Sequence, residues 1–320
     1  MPAVRFIDRE EIARRLTYSA AIRIVREAMI SLSRGETRQL LRSVLPLTPG
    51  RLYGVMAGAM GPEAPFGSKL ISVFQGNSAR GSPSHQGLVV LFDPGSGAPV
   101  CALDAGEITA IRTAAATAVA TAALARPDAR RLAILGYGEQ ASTHVRALRE
   151  VRRFESIAVW GRSPGRAEEF ARRTEREIGL PVRAVGSVEA AVADADVVCT
   201  LTAATEPILL GTWIGPGTHV NLVGSSYLGP VEVDSALVAA SRFIADSREG
   251  CLRQGAEFVK AKEAGLIDDD HLVAEIGEVL SGKIPGRRTP EEITVYKSIG
   301  HIVQDLSTAW ALHSQRGELA

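Results

Sequence analysis

Arg131-Leu-Ala-Ile-Leu-Gly136-Tyr-Gly138-Glu-Gln-Ala141 is the stretch that decides the fold of this chain. A short apolar run leads into a G-x-G-x-x-A turn, and the residues after the turn have the character of a helix. In such turns the first glycine permits a tight bend, the second lets phosphates approach the backbone, and the small third residue lets helix pack on strand. Because a strand precedes the turn and a helix follows it, we favour a dinucleotide site over a plain tight turn. Its predicted residues are Gly136, Tyr137, Gly138, Glu139, Gln140 and Ala141.

The next apolar run, 156–160, ends at Gly161-Arg162-Ser163, and Pro164 then opens another helix. A site that prefers NAD usually places Asp or Glu at this strand end, where it binds the ribose 2′-hydroxyl. This chain has neither there, whereas a guanidinium can bind phosphate oxygens in pairs. Gly161, Arg162 and Ser163 therefore favour NADP(H), with NAD(H) still possible. The alternative is that Arg162 is a solvated surface residue.

Composition limits the classes of partner. The chain has 320 residues with 36 basic and 36 acidic side chains, so nothing favours binding to nucleic acid or to an anionic membrane. The length suits one large or two medium domains. Its six histidines show no metal-binding spacing, and we expect no metal site.

Cysteine usage and hydropathy indicate a cytoplasmic protein. Cys101, Cys199 and Cys251 are far apart and form no C-x-x-C pair, as expected in a reducing compartment. The first residues mix charged and apolar side chains and lack the core of a signal peptide. The apolar stretch 108–125 contains Arg112 and is rich in Ala and Thr, which predicts a buried helix rather than a membrane span.

The periodicity of apolar residues changes along the chain. Asp8 is predicted to cap a first helix, a second helix is expected to start near Thr17, and Gly35 would end it. Short β-rich runs at 42–47, 52–57, 68–74, 87–92 and 99–103 then predict an antiparallel sheet, and so an α+β domain. From residue 130 onward, strands at 132–135, 157–160, 182–184, 197–200, 219–222 and 243–245 alternate with helices. That alternation predicts an α/β domain with a doubly wound parallel sheet of the Rossmann type. A last amphipathic helix is expected around 299–313.

Two cations in the first part of the chain stand among apolar residues. Lys69 is inside a predicted strand, and Arg112 is inside the Ala/Thr helix. Burying either cation without a partner would be costly, so each is expected to face an anion, and a substrate carboxylate would serve both. The alternatives are an edge-strand position for Lys69 and an internal salt bridge of Arg112 with Glu107 or Asp104. Arg42, at the start of a strand, is a weaker third candidate.

Several ordered blocks resemble the ornithine cyclodeaminase/mu-crystallin family over nearly the whole chain. Besides Lys69 and the Gly136 turn they are Arg42-Ser-Val-Leu-Pro46, Pro83-Ser-His-Gln86, Ile108-Thr-Ala-Ile-Arg-Thr-Ala-Ala115, Ala204-Thr-Glu-Pro-Ile-Leu209, Gly217-Thr-His-Val-Asn-Leu-Val-Gly224 and Val295-Tyr-Lys-Ser-Ile-Gly300. The resemblance implies a homodimer with a substrate and dimerisation domain, 1–115 with 301–320. It also implies a Rossmann dinucleotide-binding domain, 116–300.

The resemblance also assigns roles to residues. Arg42, Lys69 and Arg112 would hold a substrate carboxylate, and Lys69 would polarise or protonate the reacting C–N centre. Thr200, Leu201, Thr202 and Val223 would line the nicotinamide. Ser298 and Gly300 would close over its carboxamide side, although a helix N-cap is the simpler interpretation of that pair.

Ser226 distinguishes branches of the family. The cyclodeaminases resembled here carry an Asp after Val-Gly-Gly, but this chain has Val223-Gly-Ser-Ser226. A hydroxyl cannot act as a carboxylate base near neutral pH, and mu-crystallin-like members, which resemble ketimine reductases, also have serine there. We therefore expect an NAD(P)H-dependent reductase of small imines of α-keto acids, reversibly an amino-acid dehydrogenase. The catalytic residues would be Lys69, Arg112 and Ser226. The alternatives are ornithine cyclodeamination with bound NAD+ and a non-catalytic NADP-dependent protein that binds a small ligand.

Overall fold

The computed structural model describes residues 4–74, 76–77, 81–315 and 317–319. The chain forms two compact units. Unit 1 consists of Met1–Ala115 and His301–Ala320, and unit 2 is Ala116–Gly300. The first unit is therefore built from both ends of the chain.

Unit 1 combines a mixed sheet with helices. Its elements are β1 (Arg5–Ile7), α1 (Arg9–Arg15), α2 (Tyr18–Ser33), β2 (Arg38–Gln39), β3 (Ser43–Thr48), β4 (Arg51–Ala59), β5 (Phe66–Phe74), β6 (His85–Phe92), β7 (Pro99–Asp104), the first half of α3 (Ala105–Leu124) and the last helix, α11 (Ile302–Ser314).

Both predicted helix starts of unit 1 are confirmed. The Asp8 carboxylate accepts a hydrogen bond from the Glu11 amide at 2.8 Å, and the Thr17 hydroxyl accepts one from the Ala20 amide at 3.1 Å. Each bond satisfies an amide that the first turn of a helix leaves without an intrahelical partner. Gly35 has a φ of 71° just beyond the end of α2, a conformation that favours glycine.

Among the described residues, the sheet of unit 1 has seven strands in the order β1-β7-β6-β5-β4-β2, with β3 also paired to β4. The five predicted strands are confirmed as β3 to β7. Strands β1 and β2 were not predicted, because three and two residues are too short to show a period. All pairs are antiparallel except β1 with β7.

Helix α11 packs on the middle of this sheet, against β4, β5 and β6, and alongside α2. Gly58 and Gly67 are cross-strand partners under the helix. A Cβ on Gly58 would lie only 2.8 Å from Ile302 Cγ2, so the glycine permits the close approach of α11. Lys69, two residues after Gly67, has its side chain on the same face of β5, toward the helix.

Unit 2 alternates strands and helices. Its elements are the second half of α3, β8 (Arg131–Leu135), α4 (Glu139–Arg149), β9 (Ser156–Trp160), α5 (Pro164–Ile178), β10 (Val182–Ala184), α6 (Val188–Val192), β11 (Val197–Thr200), β12 (His219–Leu222), α7 (Ser235–Ala240), β13 (Arg242–Ala245), α8 (Arg248–Gln254), α9 (Ala256–Glu263), β14 (Leu272–Glu275), α10 (Ile276–Leu280), β15 (Thr294–Lys297) and two 3-10 turns at Gly211–Trp213 and Asp269–His271.

The described part of unit 2 holds an eight-stranded parallel sheet in the order β10-β9-β8-β11-β12-β15-β13-β14. The chain winds outward from β8 in one direction and then from β11 in the other, which is the doubly wound arrangement. The predicted fold class is confirmed, and so are the six predicted strands. Strands β14 and β15 were missed, since each ends in a charged residue and follows a stretch of charged and turn-forming residues.

Helix α5 shows how the sequence specifies a helix that packs on this sheet. Its buried residues recur at helical spacing, and Gly179 ends it with a φ of 69°. Helix α3 differs, because it is rich in Ala and Thr and is buried along most of its length. Within the described residues, no helix combines the length and apolarity needed to cross a membrane. The same residues contain no cluster of three or more His, Cys, Asp or Glu that could hold a metal ion.

Candidate functional site

In unit 2, the glycine turn connects β8 to α4 in the geometry that a pyrophosphate requires. Gly136 has a φ of 133°, and a Cβ there would lie 2.6 Å from the Leu201 carbonyl oxygen, so only glycine fits. Gly138 is the N-cap of α4, has no side chain to cap the helix, and has no atom within 4 Å of where a Cβ would be. The first turn of α4 therefore offers backbone amides and space to an anion.

Tyr137 of this turn packs against the end of β9. A Cβ on Gly161 would lie 2.1 Å from the Tyr137 ring, so glycine is needed for the ring to pack there. The guanidinium of Arg166, in the first turn of α5, lies 5.2 Å from the centre of the same ring. Arg162 is exposed, and Ser163 is the N-cap of α5 without a side-chain cap bond. The first turn of α5 contains no acidic residue, so the end of β9 is basic.

Glu232 holds together the two loops that follow β11 and β12. Its carboxylate accepts hydrogen bonds from the Thr200 hydroxyl at 2.6 Å, the Thr202 amide and hydroxyl at 2.7 Å each, and the Gly224 amide at 2.7 Å. Burial raises the pKa of Glu232, while the hydrogen bonds donated by Thr200 and Thr202 oppose that rise. The carboxylate therefore fixes the backbone at Thr202, next to Leu201, and at Gly224, next to Val223. These residues are among the predicted contacts of the nicotinamide. Leu201 is buried, and Val223 is half-buried.

A buried ion pair supports the residue that precedes Ser226. Lys297 Nζ lies 2.7 Å from a Glu257 carboxylate oxygen, and both side chains are fully buried. The Ser225 hydroxyl donates to Glu257 at 2.6 Å, and Lys297 Nζ donates to the Ser225 carbonyl oxygen at 2.7 Å. Ser226 itself is half-buried in the loop after β12. Because the side chain and the carbonyl group of Ser225 are held in this way, the backbone that leads into Ser226 is fixed.

The segment after β15 is held by Asp246, whose carboxylate accepts hydrogen bonds from the Ile299 amide at 2.8 Å and the Gly300 amide at 2.6 Å. Gly300 has a φ of 81°. The helix-cap interpretation of Ser298 and Gly300 is wrong, because the N-cap of α11 is His301. The buried Ser298 hydroxyl has no hydrogen-bond partner among the described residues, so it is able to bond a polar group of a ligand.

In unit 1, Lys69, Arg112 and Asp305 form a buried cluster, which we call the Lys69 cluster. Lys69 Nζ lies 2.9 and 3.0 Å from the two carboxylate oxygens of Asp305, on α11. Arg112 Nε, on α3, donates to Asp305 Oδ1 at 3.0 Å. The three side chains are at most 4% exposed. Lys69 and Arg112 were expected to face an anion, and the anion that both contact is the Asp305 carboxylate of the chain itself.

The alternative interpretation of Arg112 was an internal salt bridge with Glu107 or Asp104. Arg112 does form an internal salt bridge, but its partner is Asp305. Glu107 pairs with Arg9 at 2.9 Å, and Asp104 accepts the Glu107 amide at 2.7 Å. Arg112 Nη1 donates instead to the Gln304 side-chain oxygen at 2.8 Å. The prediction of Glu107 or Asp104 as the partner of Arg112 was therefore wrong, because both side chains bond other groups near the beginning of α3.

The electrostatics of the Lys69 cluster make Lys69 a good acid near neutral pH. Burial first and Arg112 second lower the pKa of Lys69, Asp305 opposes both effects, and the net result is a pKa of about 7. Burial would raise the pKa of Asp305, but its interactions with Arg112 and Lys69 hold that pKa below its ordinary value. Arg42, half-buried before β3, also contributes to the lowered pKa of Lys69. The cluster itself contains two basic side chains and one carboxylate.

Sequence reasoning missed several residues of these sites, among them Asp305, Glu232, Asp246, Arg166, Ser225, Glu257, Lys297 and Gln304. Asp305 is three residues after Ile302 and four before Ala309, on the apolar stripe of the last helix, and that position is a signal for a buried acid. Glu232 lies between two buried valines, which is a similar signal. Asp246 comes directly after the predicted strand 243–245, a position that is also a signal, whereas Arg166 lies in a polar stretch and has none.

The model of the ornithine cyclodeaminase/mu-crystallin family matches residues 4–318. The chain belongs to this family. Ketimine reductase mu-crystallin of Mus musculus is 37% identical over 312 residues, which cover 96% of each chain. The resemblance inferred from the ordered sequence blocks is thereby confirmed.

Two solved structures of relatives superpose on nearly the whole chain. Thermococcus litoralis Δ1-pyrroline-2-carboxylate reductase in complex with NADH and L-proline is 31% identical, with a TM-score of 0.94 and 97% of each chain covered. An archaeal alanine dehydrogenase dimer with bound NAD is 26% identical, with a TM-score of 0.91, covering 97% of this chain and 95% of the other. These two relatives are oxidoreductases that act on the carbon–nitrogen bond of an amino or imino acid.

Proposed function

We propose that the protein is an NAD(P)H-dependent reductase of small imines of α-keto acids, reversibly an amino-acid dehydrogenase. The observation that carries this proposal is the Lys69 cluster, in which two buried cations share one carboxylate. A substrate carboxylate would balance the remaining positive charge of the cluster. The ketimine and pyrroline-2-carboxylate reductases among the relatives support the same chemistry.

Unit 2 has features that fit a nicotinamide dinucleotide. The pyrophosphate would be bound by the Gly136–Gly138 turn and the amides of α4, as in other doubly wound domains. Thr200, Leu201, Thr202 and Val223 would contact the nicotinamide, and the Ser298 hydroxyl and Gly300 would contact its carboxamide. When bound, the reduced nicotinamide supplies a hydride.

The reaction adds a hydride and a proton across the C=N bond, giving a C–H and an N–H bond. Arg42 and Arg112 would bind the substrate carboxylate and so orient the imine carbon. Lys69 would donate the proton to the imine nitrogen, with Ser226 or water relaying it. A lysine whose pKa is about 7 can hold a proton and release it at neutral pH, which suits a general acid.

For the cofactor, we propose a preference for NADP(H). Arg162, the Ser163 hydroxyl and Arg166 surround the end of β9, where the 2′-position of the adenosine ribose lies in dinucleotide domains. A planar guanidinium binds phosphate oxygens in pairs, and the first turn of α5 has no acidic residue that would repel them. NAD(H) would bind here without that contribution.

We also propose a homodimer. Strand β3 and the residues before it expose Leu40, Leu41, Val44, Leu45 and Leu47, by 36% to 73%. Such a contiguous apolar strand on a sheet is costly to leave in water and is typical of an interface. The archaeal relative that is described as a dimer supports this proposal.

The function is tested by following NADPH and NADH oxidation with cyclic imines such as pyrroline- and piperideine-2-carboxylate, and with keto acids paired with ammonia or methylamine. We expect oxidation with at least one imine, and about 100-fold or more slower turnover for Lys69→Met. The variant should still bind NADPH, since Lys69 belongs to unit 1. Failure of every imine would contradict the reductase, and full turnover by Lys69→Met would contradict the role of Lys69.

A further inference from the structure

Asp305 is the one acidic residue that contacts both buried cations of the Lys69 cluster among the described residues. Its side chain is fully buried, and Oδ1 is shared between Lys69 Nζ at 2.9 Å and Arg112 Nε at 3.0 Å. Oδ2 accepts a further bond from Lys69 at 3.0 Å. A carboxylate in this position fixes the distance between two cations that come from different elements, β5 and α3.

Gln304, the neighbour of Asp305 on α11, completes the arrangement around Arg112. Its side-chain oxygen accepts from Arg112 Nη1 at 2.8 Å, and its side-chain nitrogen donates to Met29 Sδ at 3.3 Å. Nε and Nη1 of Arg112 are thereby directed to α11. Within the described residues, Nη2 receives no partner from α11, so this nitrogen is available to a substrate carboxylate.

We propose that Asp305 is a positioning residue: it holds Lys69 as a protonated donor and orients Arg112 so that one guanidinium nitrogen remains for the substrate carboxylate. This inference rests on the proposed reductase function. Asp305 does not need to touch the substrate, because it acts through the two cations.

The groups that face Lys69 determine the sign of the effect. Arg112 and Arg42 repel its proton, whereas Asp305 attracts it, and the Thr109 hydroxyl lies 3.4 Å from Nζ. Asp305→Asn removes the attraction and leaves both repulsions. The pKa of Lys69 should then fall below about 7, so Lys69 would lose its proton at a lower pH.

Direct titration of Lys69 tests the proposal without any substrate. The chain contains only five lysines, so lysine labelled with 13C at Cε gives a simple NMR spectrum in which Lys69→Met identifies the Lys69 signal. We expect a titration midpoint near pH 7 in the unchanged protein. In Asp305→Asn the midpoint should be lower by about one pH unit or more. An unchanged midpoint would overturn the proposal.

The pH dependence of imine reduction provides the kinetic arm. Because protonated Lys69 is the donor, kcat/KM should decline as the pH rises through the pKa of Lys69. For Asp305→Asn this decline should begin at lower pH, so the loss relative to the unchanged enzyme should be larger at pH 8 than at pH 6. A loss that is the same at every pH would show a merely structural role.

Asp196→Asn is the matched control. Asp196 is also a buried carboxylate, paired with Arg126 at 2.7 Å and Arg131 at 3.2 Å, but it lies before β11, at the opposite end of the strand from Thr200. Its replacement should lower the melting temperature and leave the pH profile unchanged. If Asp305→Asn does not fold, Asp305→Glu decides the question: it keeps the charge and moves it. We expect a changed Lys69 midpoint and a lower kcat, whereas an unchanged midpoint would contradict the proposal.

These outcomes separate the inference from the proposed function. If the unchanged protein reduces no imine but the NMR midpoint of Lys69 still moves in Asp305→Asn, the function fails and the electrostatic role stands. If imines are reduced and neither the NMR midpoint nor the pH profile moves, the function stands and the role of Asp305 fails.

Discussion

Arg162 offers the clearest prediction for a single residue. If its guanidinium binds the 2′-phosphate of NADP(H), Arg162→Asp should raise the KM for NADPH about tenfold or more, because a hydrogen bond to a charged group contributes about 1.5–3 kcal/mol. The KM for NADH should change little or improve, since aspartate accepts hydrogen bonds from ribose hydroxyls. Steady-state kinetics with both nucleotides measures the ratio.

Arg183→Asp serves as the control for charge. Arg183 is exposed on the neighbouring strand β10, and its replacement changes the net charge equally. We expect it to leave the preference for NADPH over NADH unaltered. Equal losses in the two variants would indicate that only the general positive potential matters, and Arg162 would then have no specific role.

Single residues also mark the limit of sequence reasoning. Lys69 and Arg112 were predicted to face an anion because a cation in an apolar segment needs a partner. Asp305 was not identified as that partner, because it is 236 residues away from Lys69 in the chain. Local pattern can show that a charge will be buried, but only the fold shows which charges meet.

At the level of elements, the loops after β11 and β12 depend on Glu232. In Glu232→Gln an NH2 group replaces one carboxylate oxygen and faces the Gly224 amide or the Thr202 amide, both of which are donors. A buried donor without an acceptor costs about 1–3 kcal/mol. We expect a lower melting temperature and about tenfold weaker binding of NADPH, measured by fluorescence titration.

Asp234→Ala is the control for this element. Asp234 Oδ1 accepts hydrogen bonds from the Leu237 amide at 3.0 Å and the Gly211 amide at 2.9 Å, so alanine leaves two amides without their acceptor. These bonds cap α7 and hold the 3-10 turn Gly211–Trp213, and they do not involve Thr200, Thr202 or Gly224. Asp234→Ala should lower the melting temperature without weakening NADPH binding. If both variants bind NADPH normally, Glu232 has only a stabilising role.

The elements that were predicted share a strong local signal. Apolar runs bounded by Gly and Pro gave β3 to β7, and the G-x-G-x-x-A turn gave β8 and α4 with their connection. Strands β1 and β2 have three and two residues, β14 and β15 each end in a charged residue, and the position of all four in the sheets depends on pairing with distant strands. Such pairing is a tertiary effect that periodicity in a short window does not contain.

At the scale of the whole molecule, the proposed dimer depends on the exposed apolar residues of β3. Leu45 is 59% exposed, and a charge buried at an interface is costly unless it is paired. Leu45→Asp should therefore shift the mass measured by light scattering from about twice 33.9 kDa to about 33.9 kDa. Leu266→Asp, on a residue 54% exposed in unit 2, should leave the dimer intact. A dimer that survives Leu45→Asp would place the interface elsewhere.

The central claim, that this chain transfers a hydride to the carbon of an imine, is tested most directly with deuterated cofactor. Pyrroline-2-carboxylate is reduced with NADPH, or with NADH, carrying deuterium at the transferable position of C4, and the proline formed is analysed by NMR and mass spectrometry. We predict one deuterium per molecule, at C2 of proline and with a single configuration. Proline without deuterium at C2, or no proline at all with any imine tried, would contradict the claim.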